Sequence, residues 1–309
     1  MAPSSKSWSR KRWLAAGALV FLACAVYFWP ARRNFYGKLT DLEVRLDVPY
    51  AAPSLDRKQQ LDLYLPKGKG PFPLLLFVHG GYWSALDRRL LEPLLGTHGN
   101  LGAALAHRGI AAGIVGYRQY PQVKRGQDSL DDIARAIRFA SEQAAILRVD
   151  PRRIFVMGHS AGGHLVSLLA TDSRILERNG VATSAVAGYI SVDGIFDLVA
   201  SLPYFKPDQA QVMRELFGPD QQALAESSTV SHLTTSHAPW LVVDSTDDEQ
   251  VCRDGFHALK ARLSGHDPRT ELLELQGLGH NEIIVRAGMD DDPITPLVER
   301  FVRHTVVSR

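Results

Sequence analysis

The sequence predicts an α/β protein: a mostly parallel central sheet with helices on both faces, a short cap-like insert, and one N-terminal transmembrane helix. Three observations carry the prediction. Short apolar runs alternate with longer helical patterns along most of the chain, the rhythm of strand–helix–strand units. A glycine-flanked serine, Gly158-His159-Ser160-Ala161-Gly162, stands between the apolar run Arg153–Met157 and the apolar run Leu165–Ala170, which reads as strand, sharp turn, helix. Asp150-Pro151 ends the preceding helical pattern, because proline restricts the residue before it and cannot continue a helical ladder.

The chain has 309 residues, 45% hydrophobic and 22% charged, enough to bury a full core without disulfides or metal. Cys24 and Cys252 are its two cysteines, and no Cys/His cluster has zinc spacing, so no cofactor and no metal is expected. The formal charge of +2 is uneven. Lys6, Arg10, Lys11, Arg12, Arg32 and Arg33 lie in the first 33 residues, which hold no acid; removing those six leaves 29 basic against 33 acidic residues, a net of about −4. A mildly acidic body is a poor nucleic-acid binder, and no nucleic-acid partner is expected.

Residues 1–33 form the first unit. From Trp13 to Ala31 nothing is charged, and Leu14, Leu19, Val20, Phe21, Leu22, Val26 and Phe28 make the run apolar at about the minimum length that crosses a bilayer. Positive clusters flank both ends, the richer one first, and Tyr27, Phe28 and Trp29 stand where an interfacial aromatic belt would. The expectation is a signal anchor with a cytoplasmic N-terminus and an extracytoplasmic body; secretion after cleavage near Ala23-Cys24-Ala25 is the alternative.

Residues 34–60 read as a lead-in and 61–309 as the main α/β domain. Strand candidates follow in order: Leu61–Leu65, Leu74–His79, Ala111–Tyr117, Arg153–Gly158, Ala187–Val192, Trp240–Asp244 and Glu271–Leu275. Asp128 to Leu147 is amphipathic, with Ile133, Ile137, Ala140, Ala144 and Leu147 along one face. Residues 194–237 are less regular, with Pro203, Pro207 and Pro219 among aromatic and polar residues. Such an insert after a central strand sits over the edge of the sheet where ligands bind.

The serine pentapeptide alone is a weak signal, since glycine and serine recur in ordinary turns. It gains weight from three further parts in order. His79-Gly80-Gly81-Tyr82-Trp83 follows the strand Leu74–Val78, and its glycines let a loop pass close to a reacting carbonyl. The backbone N–H groups of Gly81, Tyr82 and Ala161 are the oxyanion-hole candidates, each such donor worth about 3 kcal/mol in the transition state. His79 itself reads as a structural histidine, and His159 and His164 as packing around the turn. After the strand Trp240–Val243, four carboxylates crowd Asp244-Ser245-Thr246-Asp247-Asp248-Glu249. Asp248 is the first choice for an acid that orients a histidine, with Asp247 second and Asp244 third. His280, in Gly277-Leu278-Gly279-His280 after the last strand, is the candidate base.

The order Ser160, Asp248, His280 is that of α/β-hydrolases, and differs from the orders of chymotrypsin-like and subtilisin-like proteases. Between Leu61 and Val302 the chain resembles the esterases of that superfamily related to hormone-sensitive lipase, kynurenine formamidase and the bacterial feruloyl-esterase-like domain. The markers are Leu61-Asp62-Leu63-Tyr64-Leu65-Pro66, His79–Trp83, Tyr117-Arg118, Gly158–Leu165 and Gly279-His280. The H-G-G-Y-W string is most similar to kynurenine formamidase. Leu61–Pro66 with Tyr117-Arg118-Gln119-Tyr120-Pro121 is more similar to carboxylesterases and prenylcysteine methylesterases. Hormone-sensitive-lipase relatives carry a third glycine where this chain has Tyr82, and Asp244-Ser245 stands where a His-Gly pair is common.

The resemblance implies a serine hydrolase that cleaves carboxylic esters of small to medium acyl or aryl substrates through an acyl-enzyme. An aryl formamidase or amidase is the alternative, and a hydrolase-fold binding module without catalysis the remote one. Trp83, Phe196, Tyr204 and Phe205 are candidates for the pocket wall. A small ester and, through the N-terminal helix, a membrane are the expected partners; the sequence leaves the oligomeric state open.

Overall fold

The computed structural model describes residues 35–54, 56–90, 96–233, 238–263 and 270–305. The expected N-terminal span Trp13–Ala31 lies outside these, and among the described residues no helix is long and apolar enough to cross a membrane.

Among the described residues, eight strands form one sheet: β1 (Glu43–Pro49), β2 (Gln60–Leu65), β3 (Phe72–Val78), β4 (Ala111–Val115), β5 (Val149–His159), β6 (Val186–Val192), β7 (Trp240–Ser245) and β8 (Glu271–Leu275). Their spatial order is β1-β2-β4-β3-β5-β6-β7-β8. β1 and β2 pair antiparallel, as do β2 and β4; every later pairing is parallel. The parallel part is the region of strand–helix alternation, where each crossover carries the chain back to the same edge.

Alternation along β3 shows why the sheet is buried on both sides. Leu74, Leu76 and Val78 join one core cluster and Leu75 and Phe77 the other, all 0% exposed. The helix Gly126–Glu142 buries Leu130, Ile133, Ile137 and Ala140 on the first face. The helices Thr97–His107 and Thr295–His304 cover the second, with Leu101, Leu105, Val298, Phe301 and Val302 in its core.

The structure departs from the sequence-based expectation in three places. The lead-in contains β1, whose Glu43, Arg45 and Asp47 lie on an edge strand that no layer covers fully. The helical pattern Asp128–Leu147 divides at Gln143 into Gly126–Glu142 and the single turn Ala144–Leu147, and Arg148, left-handed at φ 57°, stops it before β5. The insert is ordered as short helices, Leu198–Ser201, Pro207–Phe217 and Gln221–Glu226.

Candidate active site

The site is assembled at the C-terminal ends of the parallel strands, the edge where ligands bind in open α/β sheets. Ser160 directly follows β5 and precedes the helix Ala161–Thr171; its backbone is left-handed, at φ 56° and ψ −123°. Such a conformation costs a non-glycine residue about 1–3 kcal/mol, so the surrounding packing has to hold it. The required closeness is visible at Gly162: a Cβ there would stand 2.3 Å from the carbonyl oxygen of Val78, so only glycine lets the helix start against β3.

The expected partners meet the serine. His280 Nε2 lies 2.9 Å from Ser160 Oγ, and His280 Nδ1 lies 2.7 Å from Asp248 Oδ1. Because a carboxylate only accepts, Nδ1 carries the proton, and Nε2 is left to accept from the serine hydroxyl. Asp248 sits in the turn after β7, its side chain fully covered, and Oδ1 also accepts from the Glu249 N–H at 2.5 Å. Burial pulls the His280 imidazolium down, but the hydrogen bond and charge of Asp248, with Asp193 and Glu249 behind it, outweigh burial and hold His280 above its ordinary value.

The other acids of the turn are elsewhere. Asp247 is exposed, with its N–H on Leu278 O. Asp244 is 1% exposed, and neither of its carboxylate oxygens has a hydrogen-bond partner among the described residues. Arg253 Nη1 is 3.5 Å from it. Burial, then the charge of Asp248, pushes its carboxyl up to about 7.

The loop after β3 lies against Ser160. A Cβ on Gly80 would come within 2.9 Å of Ser160 Cβ, and Gly81 has φ +111°, open only to glycine. The Gly81 carbonyl accepts from Ser84 and Ala85, which folds the loop back on itself. Ala161 opens its helix, so its N–H has no carbonyl of a preceding turn to bind. The three oxyanion candidates therefore come from two segments that touch at Ser160.

The histidines around the serine are structural. His79 is fully buried between Tyr117 and His98, its Nδ1 on Gly80 O, and burial with His98 lowers it to about 3. His164 Nε2 donates to Ser227 O at 2.8 Å and ties the serine helix to the insert. His159 does more than pack. Its Nε2 donates to the backbone carbonyl of His280 at 2.8 Å, so it fixes the loop that carries the base. Burial and the His280 ring keep it well below its ordinary value, hence neutral.

Of the four pocket candidates, two belong to the core. Trp83 and Phe196 are each 1% exposed. Trp83 packs edge-on to His164 and Phe217, and Phe196 packs beside Gly194 and Gly255, so the wall assignment is corrected for both. Tyr204 is 48% exposed, with its hydroxyl on Asp254 at 2.5 Å. Phe205 meets the ring of Tyr82 edge-on at 5.9 Å, which brings the insert to the oxyanion loop. Two residues at the site had no place in the sequence-based assignment: Asp193, at the end of β6, and Cys252, whose buried thiol lies 3.9 Å from His280 Nδ1. Asp193 directly follows an apolar strand, the same signal that marked the acid turn after β7.

The chain is similar to several known proteins. A probable isoprenylcysteine α-carbonyl methylesterase of Arabidopsis thaliana is 24% identical over 302 residues, 91% of this chain and 60% of its own length. A kynurenine formamidase of Salmo salar is 27% identical over 174 residues, 55% of this chain and 52% of its own length. The chain thus spans 60% or less of these two relatives. Esterase B from Lactobacillus Rhamnosis superposes with a TM-score of 0.69 at 20% identity, covering 93% of this chain and 95% of that one, which shows the shared α/β-hydrolase fold. The BD-FAE family model matches residues 61–263, a span that holds the oxyanion loop, Ser160 and Asp248 and ends before His280. Running from β2 through the helix Gln250–Leu263, that match covers most of the body, and the chain belongs to the BD-FAE family.

Proposed function

We propose that the protein is a serine esterase acting on carboxylic esters of small to medium acyl or aryl groups. The observation that carries this is the unbroken hydrogen-bonded series Asp248–His280–Ser160, set beside a glycine loop that touches the serine. In the reaction, Ser160 Oγ attacks the ester carbonyl while His280 Nε2 takes its proton. Asp248 holds the imidazole and balances the cation that forms. The oxyanion of the tetrahedral intermediate faces the N–H groups of Gly81, Tyr82 and Ala161. His280 then gives the proton to the leaving alkoxide, and the acyl group stays on Oγ. Water, deprotonated by the same imidazole, releases the acid and restores the serine hydroxyl.

The similarity to a formamidase supports a second reading, in which the acyl group is formyl and the leaving group an aryl amine. The same residues would serve, with His280 protonating nitrogen instead of oxygen. Turnover of p-nitrophenyl butyrate and of N-formylkynurenine, measured side by side, separates them: faster ester hydrolysis is expected. An inert ester with a consumed formamide would sink the first reading.

We further propose that residues 1–33 tether the body to a membrane with the site on the extracytoplasmic side. The support is the uncharged run with its flanking cations, and Phe35, which is 1% exposed and lies on Gly96 and Gly99. Only Arg32, Arg33 and Asn34 separate the run from that fixed point, a reach of roughly 14 Å at most. Substrates held at an envelope surface would then be the ones within reach.

A further inference from the structure

Asp193 carries two unfavourable features at once. Its carboxyl is 1% exposed, and its backbone is left-handed at φ 47°, a region that side-chain-bearing residues enter at a cost. Its N–H continues the β6–β7 ladder to Val243 O at 2.9 Å. Its carboxylate accepts from the Ser245 N–H at 2.8 Å and the Ser245 hydroxyl at 2.9 Å, bridging the ends of the two strands. An asparagine would make such a bridge without a buried acid.

The position explains the acid. A carboxylate oxygen of Asp193 and a ring nitrogen of His280 lie within 4.8 Å, and oxygens of Asp193, Asp244 and Asp248 lie within the same distance of one another. Asp248 spends Oδ1 on His280 and Glu249, while its buried Oδ2 has no hydrogen-bond partner among the described residues. Carboxylates this close in a covered site do not all ionise together. Burial and then the charge of Asp248 push Asp193 up to about 8, against the opposing pull of His280 and the Ser245 bonds. The other groups facing His280 are Glu249 from the turn, neutral His159 from the end of β5, and Cys252 from the helix Gln250–Leu263. Asp193 also faces Cys252, and Arg253 is the cation at Asp244.

We propose that Asp193 is a second acid for His280, a positioning residue that shares a single negative charge with Asp248 and takes over the imidazole when Asp248 is lost. The inference rests on the serine-esterase reading. With Asp248 present, the proton resides on Asp193 and the charge on Asp248. With Asp248 removed, the like charge that adds to burial in keeping Asp193 protonated disappears, and the opposing pull of His280 and the Ser245 bonds remains. Asp193 then ionises within reach of the ring, and holds Nδ1 protonated and Nε2 free for the serine.

The test uses the full chain with p-nitrophenyl butyrate, and kcat/KM measured from pH 5 to 9 for the parent, Ser160→Ala, Asp248→Ala, Asp193→Asn and the double variant Asp193→Asn/Asp248→Ala. A lone acid costs about 10⁴-fold when removed. Here Asp248→Ala is expected to cost about 10²-fold or less, and Asp193→Asn to cost at least ten times more in the Asp248→Ala background than in the parent. The acid limb of Asp248→Ala is expected to stay above that of the double variant, where both close acids are gone and only Glu249 still opposes burial at His280. A purely structural Asp193 would cost the same factor in both backgrounds and leave the limb unmoved; that result overturns the proposal. If Asp193→Asn does not fold in a thermal melt, Asp248→Ala decides alone, and a fall to the Ser160→Ala rate overturns it. Retention of parent activity by Ser160→Ala is a separate outcome, which removes the esterase reading itself.

Discussion

At the residue scale, the site is a contest between burial and charge, and His280 is where it is decided. Burial favours the neutral ring, yet the hydrogen bond and charge of Asp248, with Glu249 behind it, favour the cation more, so His280 holds its proton above the ordinary histidine value of 6.5. Since only the neutral ring accepts the serine proton, kcat/KM rises with pH and levels off above that midpoint. The measurement is a kcat/KM profile on a soluble ester: an acid limb centred above 6.5 is expected, and one centred below it would mean that burial wins. Ser160, Asp248 and His280 were legible because their chemistry forces a fixed chain order on the superfamily. Asp193 was not: a carboxylate at a strand end also reads as a solvated turn until the fold brings it beside His280. Trp83 and Phe196 misled for the opposite reason, since an aromatic side chain in a loop has the same composition whether it lines a pocket or fills the core.

At the element scale, the inner strands of the parallel sheet were legible because both of their faces are apolar, and the edge strand β8 also matches its expected bounds Glu271–Leu275. β1 escaped although Val44, Leu46 and Val48 alternate with Glu43, Arg45 and Asp47, the period of a half-buried strand, because it is an antiparallel edge strand that precedes the strand–helix rhythm. The helix Thr97–His107 escaped because it is covered nearly all round, from Thr97 to Ala106, and so has no polar face to give a period. The charges of the antiparallel edge are structural. Asp62 on β2, 1% exposed, meets Arg88 at 3.2 Å and Arg89 at 2.7 Å, and accepts from the Asp47 N–H at 2.8 Å. Arg88 is itself 4% exposed. Asp62→Ala would leave that guanidinium with Asp47 as its remaining close acid partner besides Asp87, and is expected to cost about 3 kcal/mol in urea unfolding. A loss under about 1 kcal/mol would show that the network holds without it.

At the scale of the whole molecule, five strand ends converge on one edge. β3 gives the loop proposed to hold the oxyanion, β5 the serine, β6 Asp193, β7 Asp248 and β8 His280. The insert reaches the same edge through Phe205 on Tyr82 and through Ser227 on His164, so the part of the chain with the least regular sequence is fastened to the part with the strongest motif. Its short helices were illegible because each is stabilised by contact with the body more than by its own periodicity. The proposed tether makes its own prediction at this scale: the full chain stays with membranes through alkaline carbonate extraction, and a chain starting at Asn34 is soluble with the same kcat/KM. Full-length protein released by carbonate would count against the tether and leave the site unaffected.

The central claim is that Ser160 is an activated nucleophile. A fluorophosphonate probe reads this directly, because it bonds covalently only to a serine whose proton is taken by a neighbouring base. One adduct per folded chain is expected, mapped by mass spectrometry to the peptide bearing Ser160 and absent in Ser160→Ala. A folded parent that stays unlabelled, or a Ser160→Ala variant that labels as the parent does, would contradict it.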